Sequence, residues 1–258
     1  MMVSNREVKD KFTTVFRLKN PPIAFFYTDN PPKEPIKPKR QRKLANRPCI
    51  SQYINGVKRG NTLVIGRESK NLCTGGLHWL GFTDNFIKMP SSQFHSVGFL
   101  DKNGNVVMEG EKTVKTPEIS LALLEKLTDP EAPAEYAVFM PLDQVNTEIY
   151  QPLLVIFFVN MDQLSGLIML SHFDTNNHAK LAFGSNCTSF VWEPLLELKK
   201  GDPPRAVVGC LTECVTRRFV RKDEATFTVG YERLVEMYDN IDESFLQTDL
   251  WKIVRDRT

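Results

Sequence analysis

Pro21–Asn30, PPIAFFYTDN, and Gln151–Asn160, QPLLVIFFVN, are the two stretches from which the fold is read. Each is a proline-led run rich in aromatic and β-branched residues that closes on Asn. A continuous apolar run of this length, bounded by turn formers, reads as a strand buried on both faces. Each is followed by a helix, a strand and a Cys-Thr pair opening another apolar helix: NLCTGGLHWLGF at Asn71–Phe82 and SNCTSFVWEPL at Ser185–Leu195. The spacing from strand to cysteine is 47 residues from Phe26 to Cys73 and 29 from Phe158 to Cys187. A proline-rich insertion in the first unit accounts for most of that difference. The expectation is one domain over residues 1–258, built from two weakly related strand-helix-strand-helix halves.

Outward from these stretches, Ser4–Lys19 reads as an amphipathic helix with Ser4 and Glu7 as a capping box. Asp29–Arg47, DNPPKEPIKPKRQRKLANR, has four prolines and a run of basic residues, and is expected as an exposed loop. Cys49–Val57 reads as a short helix, Thr62–Ile65 as a strand and Cys73–Phe82 as the first Cys-Thr helix. Asp101–Asn105 is a turn. Thr116–Leu127 is a helix with Pro117 in its first turn and Ile119, Leu121, Leu123, Leu124 and Leu127 on its apolar face. Tyr136–Met140 and Leu153–Val159 are strands, Met161–His172 a helix and Lys180–Phe183 a strand. The second Cys-Thr helix runs to about Leu198. Ala206–Cys210 and Ala225–Val229 are strands flanking a helical turn at Thr212–Arg218, and Tyr231–Asp239 and Phe245–Val254 close the chain as helices. The irregular spacing between strands predicts α+β, with α/β as the alternative.

Bulk properties exclude several classes. The 258 residues carry 33 basic and 31 acidic side chains, a net charge of +2, with 41% hydrophobic and 25% charged residues. Such balance supplies no field that calls for nucleic acid or a membrane surface. The longest apolar run is too short to cross a bilayer, and the polar N-terminus lacks the apolar core of a signal peptide, so the expected location is the cytoplasm. Five cysteines do not make a disulfide scaffold at this length; in a reducing compartment they are free, catalytic or metal-bound. There is no phosphate loop, dinucleotide fingerprint, nucleophile elbow or zincin motif. Trp79, Phe190 and Trp192 read as core.

The order of motifs carries a resemblance. An early PPIAFFY strand, CISQYINGVKRGNTLVIG from Cys49, CTGGLHWLGF from Cys73, GSNC ending at Cys187, and AVVGCLTECVTRRF from Ala206 follow one another. In that order they resemble the prokaryotic family catalogued as domain of unknown function 169. The resemblance covers nearly the whole chain and implies cysteines at the positions of Cys49, Cys73 and Cys187. Where the family has Asp-x-x-x-Arg near its end, this chain has Thr212-Glu213-Cys214-Val215-Thr216-Arg217, so Cys210 and Cys214 read as local features. The family name implies no activity.

Three chemistries compete. In the first, Cys49, Cys73 and Cys187 share a site and hold an iron–sulfur cluster or zinc with one open position, in a redox or accessory role. In the second, Thr74, Gly75, Gly76 and Thr188 bind a small anion or other small molecule at Cys-Thr helix N-termini without metal. In the third, Cys73 or Cys187 is a nucleophile; the nearest base in sequence is His78, while His95, His172 and His178 have no diagnostic spacing. A cysteine at a helix N-terminus is expected to favour its thiolate. A small-molecule partner is expected in each case.

Overall fold

The computed structural model describes residues 3–38, 48–69, 71–83, 91–127, 129–184, 187–201 and 203–257. At its centre is a seven-stranded sheet in the order β2-β5-β1-β6-β9-β8-β7. The strands are β1 (Ile23–Thr28), β2 (Leu63–Gly66), β5 (Tyr136–Pro141), β6 (Leu154–Val159), β7 (Lys180–Ala182), β8 (Val207–Gly209) and β9 (Ala225–Gly230). β3 (Gly98–Leu100) and β4 (Val106–Glu109) form a separate hairpin closed by the expected turn, where Asp101 accepts hydrogen bonds from the N–H groups of Asn103 and Asn105. Within the large sheet only β7 and β8 run parallel. This is a mixed α+β fold.

The two stretches that open the sequence reading lie side by side at the sheet's middle. β1 and β6 pair antiparallel, with Ile23 opposite Ile156 and Phe25 opposite Leu154. β1 is apolar and buried over Ile23–Phe26 and β6 throughout, because both faces of the sheet are covered there. One face carries Ala24, Phe26, Val155, Phe157 and Phe227. It packs on α1 (Asn5–Phe16), α6 (Met161–Ser171), α9 (Tyr231–Asn240) and α10 (Asp249–Arg255), through Phe12, Phe16, Leu167, Met237 and Trp251. The alternate residues Ile23, Phe25, Phe139, Leu154 and Ile156 pack on the other face against Ile50, Ile54, Trp79, Phe190 and Trp192. That second face belongs to α2 (Ile50–Val57), α3 (Thr74–Trp79) and the helix around Phe190, the elements that follow Cys49, Cys73 and Cys187. No helix of the described residues is long and apolar enough to cross a membrane.

Local signals set most element ends. Ser4 caps α1, accepting from the Glu7 N–H while Glu7 reaches back to the Ser4 N–H, and Arg17 ends the helix in the left-handed region at φ 49°. Three expectations are corrected. The second Cys-Thr helix is not one α-helix: Thr188–Trp192 winds as a π-turn before α7 (Glu193–Leu198), because Pro194 in the first turn of α7 has no N–H to continue an α-ladder. Phe245–Val254 is divided by Thr248, whose hydroxyl caps α10 after a 3₁₀ turn at Phe245–Gln247. The apolar face expected for 116–127 is only partly covered. In α5 (Pro117–Leu124) Leu124 is buried, while Ile119 and Leu123 are about half exposed at 46% and 51%. Of the expected basic loop, residues 39–47 lie outside the described residues; before them Ile36 docks on β2 through backbone bonds with Thr62 and Val64.

Candidate functional site: three thiols at three helix N-termini

Cys49, Cys73 and Cys187, separated by up to 138 residues, are brought together on the second face of the sheet. Each stands at the N-cap of a helix: Cys49 of α2, Cys73 of α3 and Cys187 of the π-turn that leads into α7. Cys49 and Cys73 have the extended backbone of a cap residue, with ψ of 152° and 144°, whereas Cys187 is already helical. The Cys73 N–H donates to the Pro48 carbonyl at 3.1 Å, which ties the two cysteine-bearing turns to each other.

Cys49 is the hub: its thiol is within hydrogen-bonding reach of both Cys187 and Cys73. The Gly76 N–H donates to Cys73 Sγ at 3.3 Å. Cys49 and Cys187 are buried and Cys73 is partly so. Trp79 and Trp192, 4.9 Å apart between ring centroids, and Phe190 are core residues, as the sequence predicts. The thiols touch as a chain through Cys49, and among the described residues no group of three His, Cys, Asp or Glu already stands in a metal-holding arrangement.

The protonation of these groups departs from the sequence expectation. The hydrogen bond with Cys187 pushes the Cys49 thiol up, against the opposing pull of Cys73, and burial adds to the rise. Cys73 is raised by its bond with Cys49 and by burial. For Cys187 the bond with Cys49 lowers the value, but burial and the charges of Cys73 and Glu213 outweigh it. A helix N-terminus favours a thiolate by a fraction of the cost of burying three like charges together. The metal-free site therefore holds thiols.

Gly76 has a packing role. A Cβ there would sit 3.1 Å from Cys73 Sγ and 3.1 Å from two carbons of Ile50, so the glycine lets α3 close down on the α2 turn. That leaves no opening for an anion at Gly76. Gly75 and Thr74 follow Cys73 in the first turn and are half-buried; Thr188 is buried after Cys187. Ser185 and Asn186, which precede Cys187, lie outside the described residues.

His78, the base that a cysteine nucleophile would need, is engaged elsewhere. It is buried, with Nε2 3.3 Å from Asp129 and Nδ1 3.4 Å from the Thr83 carbonyl, and burial lowers its proton affinity. Cys210, after β8, is half-buried and Cys214, opening α8 (Cys214–Arg217), is exposed. Cys210 lies between β8 and α8, so the pair does not share a helix face. The charge of Glu213 contributes to raising all three thiols and His95, though no local sequence pattern marks it. It stands in the segment where this chain departs from the family pattern.

The fold is mixed α+β, and Cys49, Cys73 and Cys187 each stand at the start of a helix. The chain belongs to the DUF169 family, described as uncharacterised ArCR proteins, whose profile matches residues 11–240. No curated protein and no solved structure matches the chain.

Proposed function

We propose that the protein binds a metal centre, zinc or an iron–sulfur cluster, through Cys49, Cys73 and Cys187, in a redox or accessory role. The observation that carries this reading is the meeting of three sequence-distant thiols at one place, with Cys49 in reach of the other two. Burying small hydrophobes needs no such coincidence. The donor set fits: sulfur is the preferred ligand of zinc and of iron–sulfur clusters, and three thiolates leave one position open. The bound group would supply Lewis acidity as zinc or electron transfer as a cluster. The chain's own part is distinct. Three helix N-termini offset part of the thiolate charge, and a bound cation reverses the balance that keeps the thiols protonated. Hydrophobic walls from Ile50, Trp79 and Trp192 restrict water.

The chain is read as one domain of two halves. The sheet order supports this, since β5 and β2 flank β1 as β9 and β8 flank β6, with matching antiparallel pairing. Cys73 lies between β2 and β5, whereas Cys187 precedes β8, so the strand correspondence does not carry over to the two cysteines.

The test is iron, zinc and acid-labile sulfide content with a visible spectrum after purification without oxygen. Metal lost in Cys49→Ser, Cys73→Ser and Cys187→Ser but kept in Cys210→Ser and Cys214→Ser is the expected result. A folded, metal-free protein that also fails to take up zinc or a reconstituted cluster overturns the reading, and leaves metal-free binding of a small anion or molecule beside Thr74, Gly75 and Thr188.

A further inference from the structure

The hairpin of β3 and β4 stands apart from the large sheet and is small, three residues against four. Two short strands alone are marginal in water, so contacts outside the ladder must hold them. Val106 and Val107 are exposed and supply little of that. The pairing instead continues past the strands onto the end of α4 (Ser91–Phe94). There the Gly110 N–H donates to the Val97 carbonyl at 3.2 Å, Glu111 to Phe94 at 2.7 Å, Lys112 to Ser96 at 3.1 Å and Val114 to His95 at 3.0 Å. Gly110 permits this approach, since a Cβ there would lie 2.4 Å from the Ser96 carbonyl oxygen.

Two titratable side chains sit inside this clamp. His95 Nδ1 is 3.2 Å from Glu111 Oε2, and the Glu111 side chain is 1% exposed against 27% for His95. The second carboxylate oxygen, Glu111 Oε1, is buried with no hydrogen-bond partner among the described residues. Lys112, the next residue, does not serve it: its Nζ is 2.6 Å from Glu109 Oε1, out in solvent. Among the described residues His95 is the one cation paired with Glu111. In turn, the charged groups acting on His95 are Glu111 and, more weakly, Glu213 from the segment before α8. The hydrogen bond with Glu111 raises the proton affinity of His95 against the opposing effect of burial. A buried carboxylate with a single counter-charge is stable there only while that charge lasts.

We propose that the His95–Glu111 pair is a pH-operated latch, which closes the β3–β4 hairpin onto the end of α4 while the imidazole is protonated and releases it when the proton leaves. The sign follows from linkage. A histidine raised in the folded state adds stability that is complete below its unfolded value of about 6.5 and is lost as pH rises through the folded midpoint. Release therefore belongs to neutral and mildly alkaline pH. In the step the imidazolium Nε2–H bond breaks and the proton passes to water, by way of the exposed part of the ring. Neutral His95 can still donate from Nδ1, but Glu111 is left buried without an opposite charge, and the backbone clamp loosens with it. The opening is local, because the hairpin shares no strand with the large sheet. It does not depend on the metal reading of the thiols.

The experiment is amide hydrogen exchange followed by NMR in the isotope-labelled full chain, from about pH 5.5 to about pH 8.5, corrected for the intrinsic pH dependence of exchange. The His95 ring is titrated on the same samples, with His95→Gln to assign its signal. The expected result is that protection of the Glu111 and Val114 N–H groups falls with the midpoint of the His95 ring. The fall is on the order of tenfold for each unit by which that midpoint exceeds about 6.5. Amides of β6 and β9 keep their protection throughout, and in His95→Gln the hairpin amides lose their pH dependence. Should that variant fold poorly, the wild-type series decides alone. Protection of Glu111 and Val114 that stays flat through the His95 midpoint overturns the latch. So does a fall shared equally by β6 and β9, which would be global unfolding, or a pH dependence that survives in folded His95→Gln.

Discussion

Arg233 lies almost wholly buried in the first turn of α9, and its guanidinium is fully used. It bonds both oxygens of Asp174, the Ser171 carbonyl at 3.2 Å and Glu236 at 2.6 Å. Asn240 adds a bond to Asp174 at 2.8 Å. The hydrogen bond from Arg233 is the main reason the Asp174 carboxyl is held down to about 2. A carboxyl lowered in the folded state stabilises the fold above its unfolded value near 4 and loses that contribution as pH falls toward 2. Asp174 is 36% exposed, so solvent screening reduces the effect to on the order of 1 kcal/mol. Asp174→Asn is expected to flatten that acid limb in urea melts taken between pH 5 and pH 2. An acid limb identical to wild type would remove the ion pair from the account. Gly76 presents the opposite balance. Ala there gains about 1 kcal/mol of helix propensity and loses a similar amount by crowding Cys73 Sγ and Ile50 at 3.1 Å. Gly76→Ala is therefore expected to leave stability within about 1 kcal/mol of wild type while reducing the metal content on which the proposed function depends. Equal metal content in both proteins would show that Cys73 tolerates the displacement.

At the scale of elements, capping carries the sharpest expectation. Ser4→Ala removes the hydroxyl that accepts from the Glu7 N–H and donates to the Glu7 carboxylate, leaving only the backbone half of the capping box, and should cost about 1 kcal/mol in a denaturant melt. A loss below a few tenths would mean that α1 is held by Phe12 and Phe16 alone. This cap was legible in the sequence because its four residues are contiguous. The same holds for Thr116 before Pro117 and for the two aromatic strands. Elsewhere the local signal pointed the wrong way or was missing. The apolar residues of α5 predict a covered face, yet only the side bearing Ser120 and Leu124 packs, since tertiary neighbours and not periodicity decide what is buried. The hairpin of β3 and β4 has outward-facing valines, Val106 and Val107, and no alternation to betray it. For the site, the cysteines were found because a Cys before an apolar helix is a local pattern. Glu213 was not, because only the folded chain brings its charge to bear on the thiols.

On the scale of the whole molecule, the position of α2 matters most, since it carries Cys49 at one end. Its other end is fixed by Lys58, whose Nζ is 2.8 Å from Glu224 and 3.8 Å from the centre of the Phe158 ring. Their side chains are 9% and 4% exposed, and burial lowers the proton affinity of Lys58 despite the opposing charge of Glu224. Glu224 also accepts from the Arg221 N–H at 3.1 Å, and Asn55 of α2 donates to the Phe219 carbonyl at 2.7 Å. The helix is thus pinned to the central strand β6 and to the approach to β9. Removing one member of such a pair leaves a buried charge without its partner, a loss of about 3–5 kcal/mol, whereas replacing both by well-packed neutral residues is close to neutral. Lys58→Ala is accordingly expected to lower stability by that amount, and Lys58→Met with Glu224→Gln to recover most of it, the glutamine oxygen still accepting from Arg221. If the pair sets the placement of Cys49, metal content should fall in the single variant and return in the double. Urea midpoints and metal analysis on the same preparations separate these effects. A Lys58→Ala protein within 1 kcal/mol of wild type would mean that Ile50, Ile54 and Val57 alone hold α2 in place. A double variant that regains stability but not metal would mean that the charges, beyond holding the helix, shape the thiol pocket itself.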